Sequence, residues 1–481
     1  MMLTKADIFA LTPVILVCAT AVVVMLGIAW RRQHTVTFLV AVVGLNAALV
    51  SLLAVGLMDT VETPLLVFDG LTVFGMAVVL VSSLACVTFG HAYLEGYSGP
   101  KEEFYLLLLC AAAGGMVLVA SRHFATLFFG LELLSMPLYG MLAYTFRDER
   151  SLEAGIKYLI LSAAGTAFLL FGMALLYAET GELEIAAIGA ELSGTSGVWA
   201  IAGAGLMLVG LGFKLSFVPF HLWTPDVYQG GPGPSATFLA TASKAAVFIV
   251  FLRIVMEIPV FHEAGPHVIL TALALVTMLA GNILALVQPN LKRLLGYSSI
   301  AHFGYLLVAL VVADGLAVET AGIYLITYLI TTLGAFGVVT VLSSPYSGED
   351  ASALHHYRGL FWRRPYLAAV LTVTLLSLAG IPFTAGFIGK FYIIALAVEA
   401  SRWWLVGGIL VGSAIGLYYY LRVLVTLYLV EPGMRRRDAP HDWGVRAGGV
   451  VVLGLALLVI LLGVYPTPAI DWMANLSVAG H

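Results

Sequence analysis

Two stretches decide the fold: Gly212-Phe213-Lys214-Leu215-Ser216-Phe217-Val218-Pro219-Phe220-His221 and Ala379-Gly380-Ile381-Pro382-Phe383-Thr384-Ala385-Gly386-Phe387-Ile388-Gly389-Lys390. Each sets a proline deep in an apolar run, where the lost N–H and the ring clash break or kink a helix. Each also places a lysine near the break. An ionised side chain at the centre of a membrane helix costs roughly 2.5–3.5 kcal/mol, so such a residue faces protein or a wet cavity and marks an ion pathway. Broken helices at matching places in two halves of a chain are the sequence sign of a transport site.

The surrounding sequence is built for lipid. It is 61% hydrophobic and 10% charged, with a mean hydropathy of +1.01, against about 25% charged in soluble domains. Runs long enough to span a bilayer, about 20 apolar residues each, number about fourteen. They lie near 8–30, 36–56, 71–94, 103–120, 123–146, 154–178, 198–219, 234–256, 267–287, 294–312, 317–343, 365–398, 404–429 and 447–465. No polar stretch is long enough for a soluble domain. The expected fold is an all-α polytopic membrane protein of about fourteen transmembrane helices, a single membrane domain over 1–481. The first run lacks a small-residue cleavage site and reads as a helix, not a signal peptide. Cys18, Cys86 and Cys110 fall in separate apolar runs with no metal-ligand spacing, and read as small core residues.

Basic residues orient the chain. Arg31, Arg32, Lys101, Arg147, Arg150, Lys292, Arg293, Arg358, Arg363, Arg364, Arg435, Arg436, Arg437 and Arg446 all fall in one alternate set of loops. The other set carries only Lys5, Arg122, Arg253 and Arg402, and is rich in acids such as Glu62, Glu182, Glu184 and Asp314. The positive-inside bias makes the first set cytoplasmic. With fourteen spans, both termini face the periplasm. A net charge of −4 and the absence of a basic, aromatic-interleaved domain argue against nucleic acid.

The breaks fall in helices seven and twelve of this count. An odd separation makes those helices run in opposite directions, so the pattern suggests two inverted five-helix repeats, 103–256 and 267–429.

The charged residues inside the spans carry the chemistry. Lys244, in Thr241-Ala242-Ser243-Lys244-Ala245-Ala246, has about ten residues of helix on either side and cannot snorkel to the headgroups. Lys214 and Lys390 adjoin the two breaks. Glu132, about ten residues into helix five, is the carboxylate inside a span, and Lys214 is its expected ion-pair partner. One acid cannot neutralise three cations. Burial disfavours an ammonium and a nearby carboxylate restores it, so such groups exchange protons when their surroundings change. Glu132, Lys214, Lys244 and Lys390 therefore suggest a proton relay in the membrane plane. Lys157, near the cytoplasmic end of helix six, reads as a snorkelling residue or part of an access path. His221, after the first break, and His302, in helix ten, can pass protons or bridge helices. Arg422 reads as snorkelling, and Trp223, Trp362, Trp403, Trp404 and Trp443 as interfacial anchors.

Phosphate-binding loops, dinucleotide fingerprints, iron–sulfur cysteine sets and haem histidine pairs are all missing from the sequence. The segments Leu211-Gly212-Phe213-Lys214-Leu215-Ser216, Pro219-Phe220-His221-Leu222-Trp223-Thr224-Pro225-Asp226, Thr241-Ala242-Ser243-Lys244 and Lys292-Arg293-Leu294-Leu295-Gly296-Tyr297-Ser298-Ser299 resemble the antiporter-like membrane subunits of respiratory complex I. Ser151-Leu152-Glu153-Ala154-Gly155-Ile156-Lys157-Tyr158 and the lysine at position 390 resemble the N-type subunit in particular. The resemblance implies a proton-translocating subunit of bacterial NADH:quinone oxidoreductase in the inner membrane. Glu132, Lys214, Lys244 and Lys390 would be its principal charged residues. NADH, FMN, iron–sulfur clusters and ubiquinone or menaquinone would belong to other subunits, and the partners would be further antiporter-like subunits, the small membrane subunits and the lipid bilayer. Two alternatives are a subunit of a multi-subunit cation/proton antiporter and a structural membrane subunit that conducts nothing.

Overall fold

The computed structural model describes residues 4–194, 196–313, 315–343, 350–430, 447–474 and 476. Asp314, Arg435, Arg436, Arg437, Trp443 and Arg446 lie outside the described residues. Among the described residues, twelve helices are long and apolar enough to cross a membrane. Two shorter apolar helices, Glu103–Val119 and Pro365–Ala379, stand where the fourth and twelfth spans are expected. Among the described residues the one paired sheet is a two-residue-per-strand hairpin, Val61–Glu62 against Val67–Phe68.

Several helices begin where the sequence supplies a cap. Asp69, Asp148 and Asn290 accept hydrogen bonds from backbone N–H groups of the first turns that follow them, satisfying donors with no intrahelical partner. The two breaks share one geometry. Val198–Leu215 stops at Ser216, in the left-handed region at φ 65°, and Pro365–Ala379 stops at Gly380, φ 84°. In each, the next two N–H groups turn back into the last turn: Ser216 to Phe213 and Phe217 to Gly212, Gly380 to Ser377 and Ile381 to Leu376. This paired closure seals a helix end without water. The chain resumes as the short helix Trp223–Gly230 after the first break and as Ala385–Glu399 after the second.

Packing pairs also match between the halves. Glu103–Val119 packs on Phe124–Leu142, and Ala264–Leu286 on Leu291–Val312. Each contact is drawn in by glycine: a Cβ on Gly114 would lie 2.3 Å from the Leu134 backbone N, and one on Gly281 2.6 Å from that of Ala301. Without a hydrophobic drive between helices in lipid, such close backbone approach supplies the packing energy. Glu149–Thr180 packs on Val198–Leu215, as Gly315–Leu342 packs on both parts of the second broken helix.

The helix Gly233–Glu257 is buried along its length. It is not uniform: Leu239–Ser243 forms a π-turn directly before Lys244. Such wide turns collect at functional positions.

Several sequence expectations are corrected. Arg253 is not a loop residue but lies in the helix Lys244–Glu257. Its guanidinium is 1% exposed and binds the wholly buried Asp69 with both nitrogens, Nη1 to Oδ2 at 2.8 Å and Nη2 to Oδ1 at 3.0 Å. Glu132 is thus not alone among interior carboxylates. Arg422 does not snorkel: Nη1 and Nη2 donate to the carbonyls of Leu286 (2.6 Å) and Gln288 (2.8 Å), capping the helix Ala264–Leu286. Cys18 is exposed on the outer face, whereas Cys86 is buried. Trp223 is no interfacial anchor; it is 2% exposed, because the break turns its short helix inward.

Candidate functional site: a line of buried lysines

Lys214, Lys244 and Lys390 are 5%, 0% and 7% exposed. Among the described residues no carboxylate lies within 4.0 Å of their ammonium groups. The expected Glu132–Lys214 ion pair is therefore not formed. Lys214, next to last in its helix, donates to the hydroxyls of Ser135 and Ser162, both at 2.6 Å. Glu132 is partly buried and accepts from Thr166 at 2.9 Å. The two groups stay one helical turn apart. Ser135 follows Glu132 by three residues on Phe124–Leu142, and Thr166 follows Ser162 by four on Glu149–Thr180, so on each helix the group at Lys214 and the group at the carboxylate end lie about one turn apart. Tyr139 donates to Ser162 at 2.9 Å, tying the group together.

Lys244 sits in an aromatic cage, its Nζ 5.1 Å from the Phe303 ring centroid, 5.6 Å from Tyr228 and 6.0 Å from Trp223. Facing ring quadrupoles attract a cation, and here they stand in for a counter-ion. Trp223 is itself fixed by its indole N–H, which donates to Phe213 O at 3.0 Å, one residue from Lys214. Lys244 donates to Ser299 (3.0 Å), and the Tyr328 hydroxyl lies 2.8 Å from the Ser299 hydroxyl and donates to Ala240 O (3.0 Å), a carbonyl within the π-turn.

The line continues through the second half. His302 bonds the Tyr324 hydroxyl through Nδ1 (2.7 Å), with the Tyr420 hydroxyl 3.4 Å from Nε2. A cavity of about 10 Å3, lined by His302, Tyr324, Thr327, Tyr328, Thr331 and Ser377, lies alongside; that volume fits one water molecule among polar partners. Ser377 belongs to the last turn of Pro365–Ala379. Lys390, from the helix beyond the break, donates to the Ala379 carbonyl at 2.9 Å. It thereby caps the negative end of the broken helix.

His221 and Lys157 stand apart. His221 is buried at the first break, and among the described residues neither ring nitrogen has a hydrogen-bond partner within 3.5 Å. Lys157 is 40% exposed and pairs with Glu153 (2.5 Å) and Asp226 (3.0 Å), while Arg293 holds the other oxygen of Asp226 at 2.5 Å. This cluster clamps the first turn of the short helix Trp223–Gly230. Sequence reasoning missed the hydroxyl and aromatic partners, because serine and tyrosine carry little signal without a fold. Ser135, one turn from Glu132, was the traceable one.

A family profile described as NADH:quinone oxidoreductase/Mrp antiporter, transmembrane, matches residues 121–416, which include all four principal charged positions. The chain belongs to this family. One relative, the NADH-quinone oxidoreductase subunit N of Chromohalobacter salexigens, is 70% identical over 98% of this chain and 100% of its own length. The protein of the same name from Ectopseudomonas mendocina is 60% identical over 99% of this chain and 97% of its own. Among solved structures, a chain of respiratory complex I from Thermus thermophilus with bound aureothin superposes with a TM-score of 0.82 at 33% identity, over 95% of this chain and 98% of that one. A chain of the Mrp complex from Dietzia sp. DQ12-45-1b reaches 0.85 at 19% identity, over 97% of this chain and 96% of that one, and shares the fold. The chain is accordingly a multi-pass protein of a bacterial respiratory membrane.

Proposed function

We propose that this chain is the N-type antiporter-like membrane subunit of a bacterial NADH:quinone oxidoreductase, a translocase, and that it moves protons along Glu132, Lys214, Lys244 and Lys390. The observation that carries the reading is the set of three buried ammonium groups that, among the described residues, have no carboxylate in contact and are held by hydroxyls or a carbonyl, with a histidine and a water-sized polar cavity alongside. Cations held by neutral dipoles change protonation when a charge nearby moves. The full names of the 60% and 70% identical relatives favour the dehydrogenase over the antiporter assignment. NADH, FMN, iron–sulfur clusters and quinone are then the business of neighbouring subunits, and the driving event reaches Glu132 from one of them.

The matched breaks and packing pairs support a fourteen-helix fold of two inverted repeats, 103–256 and 267–429. Backbone bridges between loops of one expected side, Leu66 with Ser121 and His123 with Glu184, support periplasmic termini. His302 belongs to the relay in this scheme; Lys157 and His221 flank it. The test is proton uptake by the reconstituted complex with Lys214→Ala or Lys244→Ala, assembly being followed on native gels. Coupled activity should fall while assembly persists. Undiminished pumping with both substitutions would refute the relay and favour a structural spacer.

A further inference from the structure

A broad polar cavity of about 770 Å3 opens at the end of the molecule where the basic loops gather, lined in part by Tyr93, Arg147, Asp148, Gln229, Pro232 and Asp350. Beside it lies Lys292, which the sequence assigns to a loop but which is fully buried. Its ammonium donates to Asp350 Oδ2 at 2.7 Å and to the Gly231 carbonyl at 2.6 Å, and Tyr93 donates to the other oxygen of Asp350 at 2.8 Å. Asp350 lines the cavity, so the buried lysine touches it through its counter-ion.

Lys292 also starts a row aimed at Lys244. On the helix Leu291–Val312, residues 292, 296 and 299 share a face, and seven residues at 1.5 Å span about 10.5 Å. At the middle of the row a Cβ on Gly296 would lie 3.5 Å from Tyr228 Cδ2, so the tyrosine ring rests there. At its end Ser299 accepts from Lys244. Among the described residues the buried Tyr228 hydroxyl has no hydrogen-bond partner within 3.5 Å; the Ser299 hydroxyl is the side chain nearest to pairing with it, and the Tyr228 ring faces the Lys244 ammonium. A hydroxyl both donates and accepts, so one held loosely between Lys244 and Ser299 can turn from one to the other.

We infer that Lys292 and Asp350 form a proton inlet from this cavity to Lys244, with the Tyr228 and Ser299 hydroxyls as the intervening carriers. The inference rests on the relay proposed above. Lys292 gives a proton to a hydroxyl oxygen, that hydroxyl passes its own proton to the neutral amine of Lys244, and Lys292 takes a replacement from cavity water through Asp350.

The experiment uses the whole complex in vesicles, reading NADH-driven proton translocation and quinone reduction for Lys292→Arg, Asp350→Asn and Lys244→Ala, with native gels for assembly. Arginine keeps the ion pair with Asp350 but does not give up its proton, so it separates a relay from a purely structural pair. Lys292→Arg and Asp350→Asn should each assemble and lose at least about ten-fold in translocation, a positioned proton-transfer group being worth about 10²–10⁴-fold. If Lys292→Arg fails to assemble, Asp350→Asn decides. Wild-type rates in the inlet variants with Lys244→Ala inactive would overturn the inlet alone. Wild-type rates in all three would overturn the relay beneath it.

Discussion

Breaking the Asp69–Arg253 pair should destabilise the subunit more than any loss of an exposed charge. The guanidinium and the carboxylate are both out of solvent, bound at 2.8 and 3.0 Å, and Arg253 Nη2 also donates to Thr72 Oγ1 at 3.2 Å. Thr72 in turn reaches Val119 O at 3.3 Å, so one ion pair joins the helices Gly70–Leu94, Glu103–Val119 and Lys244–Glu257. Removing one partner of a buried pair costs about 3–5 kcal/mol, because the other charge is left uncompensated. At 1.36 kcal/mol per decade that is roughly 10²–10⁴-fold in the folded fraction. The single variants are not equal. Asp69→Asn leaves Arg253 with Glu257 at 3.9 Å and keeps the amide-capping oxygen, whereas Arg253→Met takes the guanidinium from two carboxylates. Arg253→Met should therefore assemble less well and lower the Tm of the purified complex further. Replacing both charges, Asp69→Leu with Arg253→Met, should recover most of the loss, since apolar substitutes for a buried pair are often neutral. A double variant as unstable as the sum of the singles, or single variants that assemble like wild type, would refute the reasoning.

Other outcomes follow from the same geometry. Ser162→Ala removes one of two acceptors of Lys214, a hydrogen bond to a charge being worth about 1.5–3 kcal/mol; proton translocation should fall about ten-fold with unchanged assembly on native gels. Trp223→Ala should cost about 3–5 kcal/mol as a core truncation and deplete the assembled complex, whereas Trp223→Phe should assemble and retain part of the pumping. A Cβ on Gly210 would lie 2.7 Å from the Gly165 carbonyl, so Gly210→Val should force apart the helices that hold Lys214 against Ser162, and the subunit should be missing from the complex on native gels.

What could be read from residues alone was set by how much signal each type carries. Lys214, Lys244 and Lys390 announced themselves, because a cation among apolar neighbours is expensive and few spans contain one. Pro219 and Pro382 marked both breaks, though the helices end earlier, at Leu215 and Ala379, where Ser216 and Gly380 take the left-handed turn. The partner of Lys214 was misread because pairing it with a carboxylate ignored Ser135 and Ser162, whose hydroxyls look like ordinary small packing residues. Arg253 was assigned to a loop since it stands at the margin of an apolar run, and only the tertiary fold brings it into contact with Asp69, 184 residues away. Trp223 failed for a related reason: a tryptophan after a break resembles a headgroup anchor until the direction of the next helix is known.

The wide turn at Leu239–Ser243 has an arithmetical consequence. It holds one residue more than an α-helix of the same height requires, and the surplus is what frees the Ala240 oxygen to meet the Tyr328 hydroxyl. Deleting a single alanine there would let the backbone heal to an ordinary ladder with both flanks in their present phase. The shortened chain should insert and assemble as well as the parent while leaving Tyr328 only its bond to Ser299, so the position separates what the helix needs to stand from what it needs to conduct.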